Sequence, residues 1–77
     1  MLVTITITAG IYEGRSYTGP LTDAPITILV PEGIVSDRTT REAERMRSAI
    51  EHALQKQAAV SISSTAWTVL ARRDSSD

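Results

Sequence analysis

Few residues in this chain could carry covalent chemistry. His52 is the only histidine, and Ser48 lies four positions before it, on the same side of any helix that holds both. A nucleophile and its base need a third group to orient the base, and donors for a developing oxyanion. The residues one helical turn from His52 are Ser48, Ala49, Gln55 and Lys56, and none is a carboxylate. An exposed helix surface offers neither oxyanion donors nor a pocket, so the pair reads as a hydroxyl beside a surface histidine. One histidine, no cysteine and carboxylates mixed with arginines leave no legible metal ligand set. Glu42, Glu44 and Glu51 each have an Arg or Lys within one turn, a pattern of solvated ion pairs rather than acid/base work. Gly10, Gly14 and Gly19 match neither GxGxxG nor GxxxxGK[ST], so no phosphate loop is present. The chain reads as a non-enzyme, with no catalytic residue, cofactor or metal.

Partner chemistry is better represented. On a helix, Arg38, Arg41, Arg45, His52 and Lys56 gather within an arc of roughly 60° at about 100° per residue. Such a stripe can track phosphates or face an acidic protein surface, although arginines opposite a buried stripe also serve simply to solvate a helix. Asp37, Glu44 and Glu51 form a narrower acidic line beside it and weaken the field a duplex would feel. A second group, Tyr12, Arg15 and Tyr17, falls in a glycine-punctuated stretch. Tyr and Arg are enriched where interfaces carry energy, so this stretch reads either as a recognition loop or as a solvated loop with one Tyr covering the core edge. Candidate partner-binding residues are therefore Tyr12, Arg15, Tyr17, Arg38, Arg41 and Arg45.

The elements that must position these residues follow from periodicity. Ala43, Met46, Ile50, Ala53 and Leu54 form an apolar stripe opposite the basic one, predicting an amphipathic helix over 39–57. Thr39-x-x-Glu42 has capping-box spacing, with Ser36 or Asp37 as alternative caps. Val3, Ile5 and Ile7 alternate with Thr4, Thr6 and Thr8, a strand over 2–9. Residues 10–24 read as one long loop, or as a loop in which Ile11 to Thr18 holds a weak extra strand or extends the first one. Pro25 to Val30 predicts a second strand over 25–31, bounded by Pro31-Glu32-Gly33 and pairing antiparallel with the first. Val60 and Ile62 have the opposite parity to Trp67 and Val69, which a turn near Ser63–Thr65 or a bulge in one strand over Ala59–Arg73 resolves; the favoured reading is two short strands over 59–63 and 66–71. Ser75, Ser76 and Asp77 form a polar end.

The order β-β-α-β-β predicts a single α+β domain over 1–77: a small antiparallel sheet of three to four strands with one amphipathic helix on one face. One helix cannot cover four strands on both faces, so the threonine and serine face is either wet or a dimer and partner surface.

Length and composition narrow the classes further. A domain of 77 residues buries about 60% of its unfolded surface, for a net stability of roughly 3–5 kcal/mol. With no disulfide to help, a homodimer is the expected way to add burial. A formal charge of −1 is not the basic excess of a dedicated nucleic-acid binder. No basic n-region or continuous apolar run suggests a signal peptide or membrane span, and a chain without cysteine fits a reducing cytoplasm.

In layout (LVTITIT, PITILV, TTREAERMRSAIEHALQ, AVSISS and AWTVLA in succession) the chain resembles the very small phage-encoded inhibitors of host defence, the anti-CRISPR proteins among them. That resemblance implies a short sheet with one helix, acting by occupying a surface of a host defence complex. It carries no motif, and so assigns no residue a role. The expectation is a non-catalytic protein that binds another protein through the helix face or the 10–24 loop. The alternative is a small nucleic-acid-associated regulator using Arg38, Arg41 and Arg45.

Overall fold

The computed structural model describes residues 1–31 and 35–74. Its elements are β1 (Leu2–Gly10), β2 (Ser16–Pro20), a 3-10 turn (Leu21–Asp23), α1 (Ile26–Leu29), α2 (Asp37–Leu54), β3 (Ala59–Ser63) and β4 (Trp67–Arg73). The strands form one antiparallel sheet in the order β2-β1-β4-β3. The architecture is thus the α+β one the pattern predicts, a four-stranded antiparallel sheet with one main helix on one face.

Alternation decides which face is buried. Val3, Ile5 and Ile7 of β1 and Trp67, Val69 and Ala71 of β4 point to the helical side and are all buried. Val60 and Ile62 of β3, opposite Ala71 and Val69, share that side and are half-buried. Ala43, Ile50 and Leu54 of α2 are buried against this layer, and Met46 packs at its margin. The other face carries the hydroxyls, which bond across strands: Thr4 Oγ1 lies 3.2 Å from Thr18 Oγ1, and Ser63 Oγ lies 3.1 Å from Thr68 Oγ1.

The expected strand over 25–31 is not a strand. Residues 26–29 form the short helix α1, following Pro25 at φ −64°. Two physical reasons account for this. Both edges of β1 are already taken, by β2 and by β4, so no partner is left beside it. Ile28, Leu29, Val30 and Pro31 are also buried in succession, which an alternating half-buried strand cannot do. The 3-10 turn and α1 instead lie over the sheet, with Leu21, Ala24, Ile28 and Leu29 in the core. They supply the cover that one helix could not. The second strand is β2, which shares only residues 16–18 with the weak strand considered over Ile11–Thr18; residues 11–14 form a turn and the strand runs on to Pro20.

α2 starts two residues earlier than predicted and ends three earlier. Its N-cap is Ser36, not Thr39: Thr39 N–H donates to Ser36 Oγ at 3.3 Å, and Ser36 N–H donates to Thr39 Oγ1 at 2.6 Å. Thr39 is therefore the reciprocal member of a capping box one turn upstream of the expected one. At the other end, Arg73 Nη1 donates to the Leu54 carbonyl at 2.7 Å, satisfying one of the terminal acceptors. The two strands after α2 form a hairpin, closed by Ser64 N–H donating to the Trp67 carbonyl at 2.8 Å. The turn expected at 31–33 lies partly, and the polar end at 75–77 wholly, outside the described residues.

A bulge in β1 sets the hairpin against its neighbour. The register skips Thr8 between Ile7 and Ala9, bringing Gly10 opposite Trp67. Gly10 has φ +118°, and a β-carbon there would stand 2.6 Å from the Ala66 carbonyl oxygen. Only glycine fits both the dihedral and the approach.

Candidate functional site

The helix–sheet packing leaves a groove of about 390 Å³ along one side of α2. Its floor is apolar: Val30, Met46, Ala49, Ile62 and Trp67. Glu42, Arg45 and Ser64 rim it. The helical members sit at positions 42, 45, 46 and 49, one flank of α2 between its buried and outer faces. Trp67 is 5% exposed, and its indole Nε1 is buried without an acceptor among the described residues. Such an orphan donor costs about 1–3 kcal/mol.

β3, whose Ile62 forms part of that floor, is an edge strand, and its backbone is half unpaired. Arg73 N–H donates to the Ala58 carbonyl and Ser64 N–H donates to the Trp67 carbonyl, with Ala59 opposite Arg72 and Ile62 opposite Val69. In an antiparallel ladder, opposed residues alternately exchange both bonds or neither. Positions 58, 60, 62 and 64 are therefore bonded to β4, while Ala59, Ser61 and Ser63 direct N–H and C=O away from the sheet. All three are exposed, with small uncharged side chains on the open face. No proline or charge blocks this edge, unlike the protected edges of most soluble sheets.

The predicted site residues are distributed over two distant places. Arg15 stacks on Tyr12, with its guanidinium carbon 4.9 Å from the ring centroid, and Tyr17 Oη donates to the Pro20 carbonyl at 2.7 Å. Both tyrosines are half-buried against the core, so they act as cover for the sheet rather than as free anchors. Tyr17 stands on β2, the edge opposite β3. Arg38 is tied to Glu42, Nε to Oε1 at 3.2 Å, the only ion pair among the described residues. At this exposure it is worth a few tenths of a kcal/mol.

Arg41 and Arg45 come together with Glu44 and Ser48 around a shallow hollow on the outer surface of α2, and Arg45 also borders the apolar groove. Neither hollow is lined by Tyr12, Arg15 or Tyr17. Arg47 and Arg73 are spent on the Ala24 and Leu54 carbonyls. Ser48 and His52 are both exposed on α2. Among the described residues no group of three or more His, Cys, Asp or Glu could hold a metal ion, and no helix is long and apolar enough to cross a membrane.

Sequence reasoning missed the groove because Met46 reads as a core residue on the apolar stripe, and Ile62 and Trp67 read as ordinary inward positions. One signal was present: AVSIS is a strand without charge or proline. Compared with family models, curated proteins and solved structures, the chain matches none.

Proposed function

We propose that the chain is a non-catalytic interaction module that binds another protein by accepting an extended segment at the β3 edge. The observation that carries this reading is the apolar groove beside an edge strand with three unpaired backbone positions. Strand addition uses the main chain for affinity and side-chain pockets for selectivity, and both parts are present here. An inhibitor that occupies a partner's surface within the cytoplasm, as the layout suggests, would act through the same device. A nucleic-acid role has less support, because Arg38 is paired with Glu42 and Glu44 shares the hollow of Arg41 and Arg45, weakening the field a phosphate would feel.

Ser61→Pro provides the test. Its N–H points outward and is not used within the sheet, and proline is tolerated at such edge positions. The variant should keep its thermal unfolding midpoint within a few degrees. It should also lose binding to extended peptides selected on the wild-type chain from a random displayed library. Retained binding with a folded variant would place the contact elsewhere.

A further inference from the structure

The reading above leaves the partner's chemistry open. Resting on it, we infer that the segment accepted at β3 runs antiparallel to it and has the pattern acid-x-apolar-x-apolar, with the acid held by Arg45.

The register follows from β3 itself. A residue of an added strand that faces Ser61 exchanges both backbone bonds with it and turns its side chain to the open face. The residues facing Ile62 and Val60 turn their side chains to the helical side, where Met46, Ala49 and Ile62 form an apolar floor. These two positions take the apolar residues. In an antiparallel strand the residue facing Ser64 lies two positions N-terminal to the one facing Ile62. Ser64 and Arg45 border the groove together, and the spacings agree. Two steps along a strand span about 6.6 Å, and the four steps along the helix from Arg45 to Ala49 span about 6 Å.

Charge selects the acid. Arg45 has no ion-pair partner among the described residues, while Glu42, the one carboxylate on the rim, is bonded to Arg38. In the adjoining hollow Arg41 and Glu44 offset one another, so Arg45 is the cation that faces the groove. A carboxylate facing Ser64 would accept charge-assisted bonds from the Arg45 guanidinium, partly shielded by the groove wall.

The same register argues against a second copy of this chain as occupant. Pairing β3 with β3 about a two-fold axis at Ser61 places the second copy's Val60 opposite Ile62, which suits the floor. It places the second copy's Ala58 opposite Ser64, which leaves Arg45 unanswered.

The test is an NMR titration of the 77-residue chain with three capped synthetic peptides, to millimolar concentration. They are Glu-Thr-Ile-Thr-Val-Thr and its Gln-first and Lys-first versions. The Glu peptide should bind about two- to fivefold tighter than the Gln peptide, the size of one exposed ion pair, and shift the amides of Ala59, Ser61 and Ser63. Arg45→Glu, an exposed change, should reverse the order and favour the Lys peptide. Equal affinity for all three peptides, with β3 shifts that Ser61→Pro abolishes, would overturn the acid preference while leaving strand addition intact. Binding by none, or shifts away from β3, would overturn both. A concentration-dependent dimer that Ser61→Pro dissociates would put a second copy in the groove and likewise overturn the inference.

Discussion

The two edges of the sheet are built differently. On the β2 side, bonds from Ile7 N–H to the Arg15 carbonyl and from Leu21 N–H to the Met1 carbonyl place the outward backbone groups at Ser16, Thr18 and Pro20. Pro20 has no N–H to offer, and the Tyr17 hydroxyl reaches across Gly19 to its carbonyl. The chain then turns over the sheet, and the 3-10 turn and α1 bury Leu21, Ala24, Ile28 and Leu29 there. On the β3 side the outward positions are Ala59, Ser61 and Ser63, without proline, charge or covering segment among the described residues. A domain this small cannot cover both halves of its sheet equally. The half left with only α2 keeps a groove, and an edge left unguarded beside a groove is a place for another chain.

The largest expected effects sharpen the contrast between the covered half and the open one. Leu29 is fully buried under the cover, so Leu29→Ala should cost about 2–5 kcal/mol. Against a net stability of roughly 3–5 kcal/mol, urea denaturation should find that variant largely unfolded at room temperature. Gly10→Ala comes next, at about 1–3 kcal/mol from strain, because the new methyl meets the Ala66 carbonyl and displaces the β3–β4 hairpin. Its lower urea midpoint should be accompanied by weaker peptide binding. Met46→Ala removes a side chain only partly buried in the groove wall, for roughly 1 kcal/mol, and should weaken peptide binding more visibly than stability. If Met46→Ala proved as damaging as Leu29→Ala, the groove would be part of a closed core and the contrast would fail.

The same contrast explains what was legible from residue types alone. Val3, Ile5 and Ile7 reveal β1 because a strand buried on one face must alternate, and the 43-46-50-54 stripe reveals α2 for the matching reason at 3.6 residues per turn. The parity clash between Ile62 and Trp67 calls for a turn or a bulge, and the structure makes it the turn of the β3–β4 hairpin. PITILV misleads because its β-branched residues fit a strand, while the decision is made by whether β1 has a free edge, a non-local fact. β2 is hidden for the converse reason: Gly19 and Pro20 lower the strand propensity of Ser16–Pro20, and it pairs because Val3, Ile5 and Ile7 present their backbone groups to it. Of the six candidate partner residues, Arg41 and Arg45 fall at a hollow because helical angle alone brings them together. The groove depends on how far α2 sits from the end of β3, which no local pattern encodes.

The smallest effect tests whether the groove or the bare backbone makes an edge into a binding site. Pro20 sits at φ −63° and ψ 136°, dihedrals that alanine adopts freely, so Pro20→Ala should cost only about 0.4–1 kcal/mol through a more flexible unfolded chain. Thermal denaturation should show a fall of a few degrees. The substitution also restores an outward N–H at position 20, while the Tyr17 hydroxyl still occupies the carbonyl there. It does not remove the cover of α1 or open a groove beside Tyr17. Titration of this variant with the Glu peptide should therefore still saturate at one peptide per chain, with shifts confined to β3 and the facing side of α2. Shifts at Ser16 and Thr18 would mean that unpaired amides suffice and that the groove adds nothing. The difference between the two edges would then reduce to one proline.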